Sequence, residues 1–137
     1  MKRIKLSNLV LKQLAPKGYL RAAINLSNFL LVTGQDGDGN PQGVSPDMAK
    51  ALANKLGVEL KLISFNRPGE LADAVSEDVW DIGNIANETE RAKSISFSLP
   101  YTLIESTYLV RENLNIKNAN LIRAKSIAES FLILEVN

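Results

Sequence analysis

The sequence predicts an α/β fold with an open, mostly parallel sheet flanked by helices. Three observations predict it. Short apolar runs alternate with segments of helical period along the chain. Strong helix start and stop signals separate them. And 137 residues with 45% apolar content suffice for one domain with a real core.

Tyr19 to Leu26 (YLRAAINL) reads as the first buried strand, followed by a Gly/Asp/Asn-rich loop from Gly34 to Asn40. Ser45-Pro46-Asp47 is a helix start. Ser45 is suited to cap, Pro46 to the first turn and Asp47 to the positive end of the helix dipole. Met48, Leu52, Ala53 and Leu56 then recur at helical spacing, and Gly57 ends the helix. From Val58 to Phe65, apolar Val58, Leu60 and Leu62 alternate with Glu59 and Lys61, the pattern of a second strand. Asn66 to Pro68 opens a second helix with Leu71, Ala72, Val75 and Val79 on one face. Asp81 to Ala86 is a short third strand. Asn87 to Lys93 reads as a polar helical turn, and Thr102 to Val110 as a long strand rich in β-branched residues. The order β-α-β-α-β-α-β implies parallel strands with helical crossovers. Ligands of such sheets bind outside the carboxyl ends of the strands, here the loops Ser27 to Val44, Ser64 to Gly69 and Ala86 to Arg91.

The tail is less regular. Asn113, Asn115, Asn118 and Asn120 make a polar linker-like stretch. Ile122, Ser126, Ile127 and Ser130 fit a helix, and Phe131 to Val136 fits either a strand or a packed helix end. Periodicity leaves that choice open.

Composition excludes several functions. Sixteen Lys+Arg against fifteen Asp+Glu leave a net charge of +1, without the basic excess that marks nucleic-acid binding. No cysteine and no histidine are present, which removes disulfides, thiol chemistry, the commonest general base and the commonest metal ligand. Lys12 and Gln13 interrupt the apolar run after the basic start, so the N-terminus does not read as a signal peptide. Either export is absent or the numbering begins after a removed leader. No stretch approaches the ~20 apolar residues of a membrane span. Asp36-Gly-Asp38-Gly-Asn40 imitates the start of a calcium loop, but Pro41 stands where that loop needs glycine, and no metal is expected.

Four segments together carry a resemblance. They are Leu20-Arg-Ala-Ala-Ile-Asn25; Gly43-Val-Ser-Pro-Asp47 with the following Met-Ala-Lys-Ala-Leu-Ala-Asn-Lys-Leu-Gly-Val; Trp80-Asp81 before a short apolar strand; and Arg91-Ala-Lys-Ser-Ile-Ser-Phe-Ser-Leu-Pro-Tyr101. In this order and spacing the chain resembles the bacterial type 2 periplasmic solute-binding proteins of amino-acid ABC transporters (extracellular solute-binding family 3), first lobe only. The resemblance implies one lobe of a two-lobe receptor over residues 1–112. A divergent tail follows over 113–137, with no complete second lobe, as in a truncated chain.

It also implies a small-molecule ligand, an amino acid or similar polar acid, and periplasmic placement. No catalytic residue, cofactor, metal or nucleic acid is implied. A full-length relative would have an ABC-transporter permease as partner. A dehydratase-like enzyme, or an interaction or sensory module, are the alternatives.

In relatives an arginine at the place of Arg91 pairs with the ligand α-carboxylate, and the guanidinium fork suits that role. The bland alternative is a surface arginine paired with Glu88 or Asp81. The loop before Arg91, Ala86-Asn-Glu-Thr-Glu90, departs from the family's Thr-rich pattern. Asn25, Ser27, Asn28 and Phe29 follow the first strand where relatives wall the cleft. Phe29 would stack on ligand, or else pack in the loop. Asn87 and Thr89, with Asn84, would add polar contacts, or else cap turns. A half site that does not close implies weak binding, in the high micromolar to millimolar range. The open end of the Thr102 strand and the tail FLILEV imply a homodimer.

Overall fold

The computed structural model describes residues 8–104 and the backbone of 127–133. The elements are helix α1 (Asn8–Leu14), β1 (Tyr19–Asn25), β2 (Gly34–Gln35), β3 (Pro41–Gln42), α2 (Val44–Leu56), β4 (Glu59–Phe65), α3 (Pro68–Asp73), β5 (Ile82–Asn87), β6 (Thr102–Ile104) and β7 (Ile127–Ile133). Two 3-10 turns, Ala74–Glu77 and Arg91–Lys93, complete them.

The main sheet has five strands in the order β4-β1-β5-β7-β6. β1 runs parallel to β4, from Tyr19 opposite Glu59 to Asn25 opposite Phe65, and parallel to β5, with Ile24 opposite Asn84. β7 is antiparallel to both β5 and β6, so β6 points the same way as β5. Four strands therefore share one direction around a single reversed one, and the mostly parallel α/β sheet is as predicted. β2 and β3 form a separate hairpin.

The tail resolves what periodicity left open. Residues 127–133 are a strand, already paired on both sides within their own chain. The helix considered around Ile127 and Ser130 is corrected, because pairing between β5 and β6 satisfies the backbone that a helix would have bonded internally. Ile122 and Ser126, and the Thr102 strand beyond Ile104, lie outside the described residues. Asn8–Leu14 form α1, whose Leu11 and Leu14 pack on the cluster shared with α2.

Helix α2 starts earlier than read. Its cap is Gly43, not Ser45. The Ser45 N–H donates to the Leu31 carbonyl (3.0 Å), while its hydroxyl lies 3.5 Å from that of Tyr101. Gly57 closes the helix in the left-handed region as predicted, its N–H reaching Ala53 and Asn54 carbonyls. The second helix is shorter than its apolar face suggested. It begins with Pro68, tightens into the 3-10 turn and stops at Asp78, which has a positive φ of 51°.

The sheet buries both faces. On one side Ala23, Leu71, Ala74, Trp80, Ile85 and Ile95 cluster, with Phe65 and Val75 against them. On the other, Leu20, Ala22, Ala49, Ala53, Leu56 and Ile82 join α2 to β1 and β5. Alanines on both elements let helix and sheet approach closely. Trp80 is buried, and its indole N–H donates to the Leu71 carbonyl (3.1 Å).

A buried charge holds the amino-terminal half of the sheet. Arg21, on β1 and 5% exposed, donates from Nε and Nη2 to the two carboxylate oxygens of Asp81, at 3.1 and 2.6 Å. Asp81 Oδ2 also accepts the Arg21 backbone N–H (2.8 Å). Arg21 further reaches the Asp78 carbonyl and carboxylate, and Lys17 joins Asp78 at 2.9 Å. Asp81 is thus the partner of Arg21; the alternative pairing with Arg91 is corrected.

The hydrogen bonds from Arg21, then Lys17, lower the Asp78 pKa to about 2 from its ordinary 3.8. A carboxylate with a lowered folded pKa stabilises the fold above its unfolded pKa and loses that contribution as pH falls through the folded one. Urea midpoints of the wild type should therefore fall between pH ~4 and ~2, and the fall should be smaller in Asp78→Asn and at high salt. Equal pH profiles for the two proteins would refute this.

Candidate functional site

The carboxyl ends of β4, β1 and β5 lie side by side, at Phe65, Asn25 and Asn87. Asn25 is 6% exposed, and its Oδ1 accepts hydrogen bonds from the Ser27 N–H (3.1 Å) and the Ser27 hydroxyl (2.8 Å). One side chain thereby fixes the turn that leaves the strand. Asn28 fixes the next turn, its Oδ1 accepting from the Leu30 and Leu31 N–H groups at 3.3 Å each. Phe29 projects from this turn with 78% of its surface exposed and is in neither core cluster, so the loop-packing alternative does not describe it. Beyond it lies an open concavity of about 310 Å³ lined by Leu26, Val32, Thr33, Gly34 and Gln35.

The hairpin that carries the Gly/Asp loop is closed by Asp36. Its carboxylate accepts from the Asp38 N–H (3.0 Å), the Asn40 N–H (2.8 Å) and the Asn40 side-chain amide. Those bonds, Asn40 first, hold the Asp36 pKa below its ordinary value. Among the described residues no group of three or more acidic side chains is arranged to hold a metal.

Arg91 stands at the start of the 3-10 turn after β5. Its side chain is 15% exposed; Nη1 donates to the Ala86 carbonyl (3.0 Å), and Nη2 lies 3.5 Å from a Glu88 oxygen. The guanidinium is folded back against its own strand end, with donors left over. The ordinary pairing with Glu88 is present, beside a geometry that still offers donors to a ligand. The backbone turn adds little, because three residues do not sum to an effective dipole. Lys93 pairs with Glu90 at 2.6 Å. The side chains of Asn87 and Thr89 are exposed on the same loop.

Asn25 lies on one side of the sheet, and the backbone of Arg91 is tied to a residue packed on that side. Alternation along β1 puts Asn25 with Ala23, opposite Phe65, and the Ile95 N–H donates to the Arg91 carbonyl (3.0 Å). Ala23, Phe65 and Ile95 share one core cluster. Asn84 belongs to the other side. Its Nδ2 donates to the Ser45 carbonyl (2.9 Å), and its Oδ1 is buried without a partner. Asn84 is thus a buried strut beneath α2 rather than a member of the Asn25–Arg91 edge. Sequence reading missed the Ser45–Tyr101 contact, which joins residues 56 apart and carries no local signal. It also passed over Arg67, exposed just past the end of β4, whose place at a strand end was the available signal.

The chain matches the profile of the bacterial extracellular solute-binding proteins, family 3, over residues 24–131. Among solved structures, an ancestral cyclohexadienyl dehydratase is 29% identical with a TM-score of 0.60, covering 74% of this chain and 42% of that one. An ancestral cationic amino acid solute-binding protein is 28% identical with a TM-score of 0.61, covering 80% and 48%. The arginine-bound form of domain 1 from TmArgBP, at 22% identity and a TM-score of 0.60, shares the fold over 86% of this chain and 81% of that one. A curated relative, membrane-bound lytic murein transglycosylase F of Actinobacillus succinogenes, is 35% identical over 69 residues, 49% of this chain and 14% of that protein. The chain thus spans about one seventh of the curated relative, and under half of the two ancestral proteins. A match over most of its length, on the sheet topology described above, places the chain in the bacterial extracellular solute-binding proteins, family 3.

Proposed function

We propose that this chain binds an amino acid or similar small polar acid at the carboxyl ends of β4, β1 and β5, and that it performs no catalysis. The observation that carries the reading is Arg91, a mostly buried guanidinium anchored on the Ala86 carbonyl at the end of β5, with donors to spare. A carboxylate there gains charge-assisted hydrogen bonds without first ordering a long side chain. Ser27, Asn28, Phe29, Asn87 and Thr89 surround this edge as its further ligand contacts. The reading places the chain in the periplasm as the substrate-binding component of an amino-acid ABC transporter, facing a permease when full length. The lobe is taken as residues 1–112 with 113–137 as a divergent tail, although β7 is contributed from that tail.

One lobe encloses a ligand on one side, so affinity in the high micromolar to millimolar range is expected. The arginine-bound single domain of a structural neighbour supports the idea that one lobe holds a ligand at all. Calorimetry of the chain against the twenty amino acids tests the reading. Arg91→Gln should weaken the best ligand by about tenfold or more. A tight 1:1 complex would overturn the half site, and no heat from any amino acid would overturn the binding role.

Likeness to a dehydratase supports a second, enzymatic reading. Against it stand the absence of histidine and cysteine and the pairing of Glu88 with Arg91. A homodimer is a further part of the proposal. It is supported by β6 at the sheet edge, with Leu103 74% exposed.

A further inference from the structure

We infer that the residue at the end of β1, Asn25, makes this site selective for a hydrogen-bond acceptor, a carboxylate or carbonyl oxygen, and against an ammonium or guanidinium group. The inference rests on the binding reading above and specifies its ligand class.

The orientation of the Asn25 amide is fixed by chemistry. A backbone N–H only donates, so the atom 3.1 Å from the Ser27 nitrogen must be the amide oxygen. The Ser27 hydroxyl adds a second bond to that oxygen, at 2.8 Å. Both acceptor sites of Oδ1 are then used, and Nδ2 turns away from the turn with its two hydrogens. Among the described residues Nδ2 has no partner, and it is not sealed off: the buried unpartnered side-chain atom among them is Asn84 Oδ1. Asn25 therefore presents donors outward and nothing else. A flipped amide would set Nδ2 against the Ser27 N–H and forfeit that bond, keeping at most one to the hydroxyl, so turning the oxygen outward to a cation is opposed.

The neighbouring strand ends repeat the sign. Arg91, in the turn after β5, keeps donors beyond its bond to Ala86. Arg67 follows the end of β4, is exposed, and has no ion pair among the described residues. β4, β1 and β5 are neighbours at ~4.8 Å strand to strand, and Arg67 and Arg91 follow the carboxyl ends of the two strands that flank Asn25.

Several acceptors near Asn25 are spent inside the protein. Asn25 Oδ1 is on Ser27, Asn28 Oδ1 on Leu30 and Leu31, the Ala86 carbonyl on Arg91, and Glu90 on Lys93. Glu88 already faces Arg91, and the exposed side chains of Asn87 and Thr89 carry the further acceptors of the loop. A cation at Asn25 meets N–H groups of like polarity; an oxygen meets ready donors.

The test is a ¹⁵N–¹H NMR titration of the whole chain with glutarate and succinate against cadaverine and agmatine, which lack a carboxylate, on wild type and Asn25→Asp. The substitution keeps an inward oxygen for Ser27 and replaces the outward donors by an acceptor. In the wild type, the Asn25 side-chain amide should shift with the acids at concentrations about tenfold lower than with the cations. Asn25→Asp should reverse that order. Cadaverine or agmatine binding the wild type as well as the acids do would overturn the inference while leaving the binding site standing. So would an unchanged order in Asn25→Asp. No shift at Asn25 or Arg91 with any of the four would overturn the site itself, and the inference with it.

Discussion

Gly43→Ala should destabilise the protein by about 3 kcal/mol and lower its melting temperature by roughly 10 °C. Two independent penalties combine. Gly43 has φ of 132°, a backbone conformation that side chains rarely adopt. A Cβ at this position would also stand 2.5 Å from the Leu31 carbonyl oxygen and 3.0 Å from the Thr33 nitrogen. Both atoms are backbone and cannot rotate aside. They are held where they are by the Ser45 N–H on the Leu31 carbonyl and the Thr33 N–H on the Gln42 carbonyl. Relief of the clash means parting the loop after β1 from the start of α2, which carries the Asn25 edge with it. Gly69→Ala is the control. Its Cβ meets nothing within 4 Å, and the change should stay within about 0.5 kcal/mol. Thermal melts of the two variants settle the matter, and similar melting temperatures would show that the loop and helix are not locked together at Gly43.

Removing the charge of Asp81 should cost about as much again. In Asp81→Asn the Arg21 guanidinium stays in a site 5% exposed, its principal counter-charge gone, and a loss of about 3–5 kcal/mol is expected. Arg21 has no neutral form to retreat to: the Asp81 hydrogen bonds, ahead of those from Asp78, hold its pKa above the already high value of arginine. Asp78 is exposed and does not compensate in full, because water and salt screen it. The double variant Arg21→Leu with Asp81→Leu should be more stable than Asp81→Asn, since it leaves no unpaired charge behind. Urea unfolding of the single and double variants measures this. A single variant within 1 kcal/mol of wild type, or a double variant less stable than the single, would mean the pair is not the clamp its geometry suggests.

The two effects differ in what they report on the site. Gly43 acts at the carboxyl ends of the strands, where the loops meet; Arg21 and Asp81 act at the amino-terminal half, where β5 begins. Damage at the second should lower stability while leaving the Asn25 and Arg91 donors in place in whatever fraction is folded.

By itself, the sequence determined the strand-helix alternation, because hydrophobic period is a local property. Tyr19 to Asn25 and Glu59 to Phe65 appear within one or two residues of where apolar runs and alternation put them. Gly57 ends α2 because a left-handed cap needs no partner distant in sequence. The family resemblance, rather than periodicity, singled out Asn25 and Arg91 as ligand contacts. Only the tertiary structure decided what those residues offer. The partner of Arg21 is 60 residues away, so nothing near it in the chain distinguishes Asp81 from any other aspartate. The N-terminus of α2 moved from Ser45 to Gly43 because the loop after β1 presses on it, a contact between elements rather than within one. Residues 127–133 became a strand because β5 and β6 stood open to pair with it. Local periodicity had allowed a helix as well. And Asn25, an amide able to give or to accept, became a donor to its surroundings only when Ser27 folded back onto its oxygen. Hydrogen-bond direction at a site is set by the groups that surround it in space, and the order of residues along a chain does not contain it.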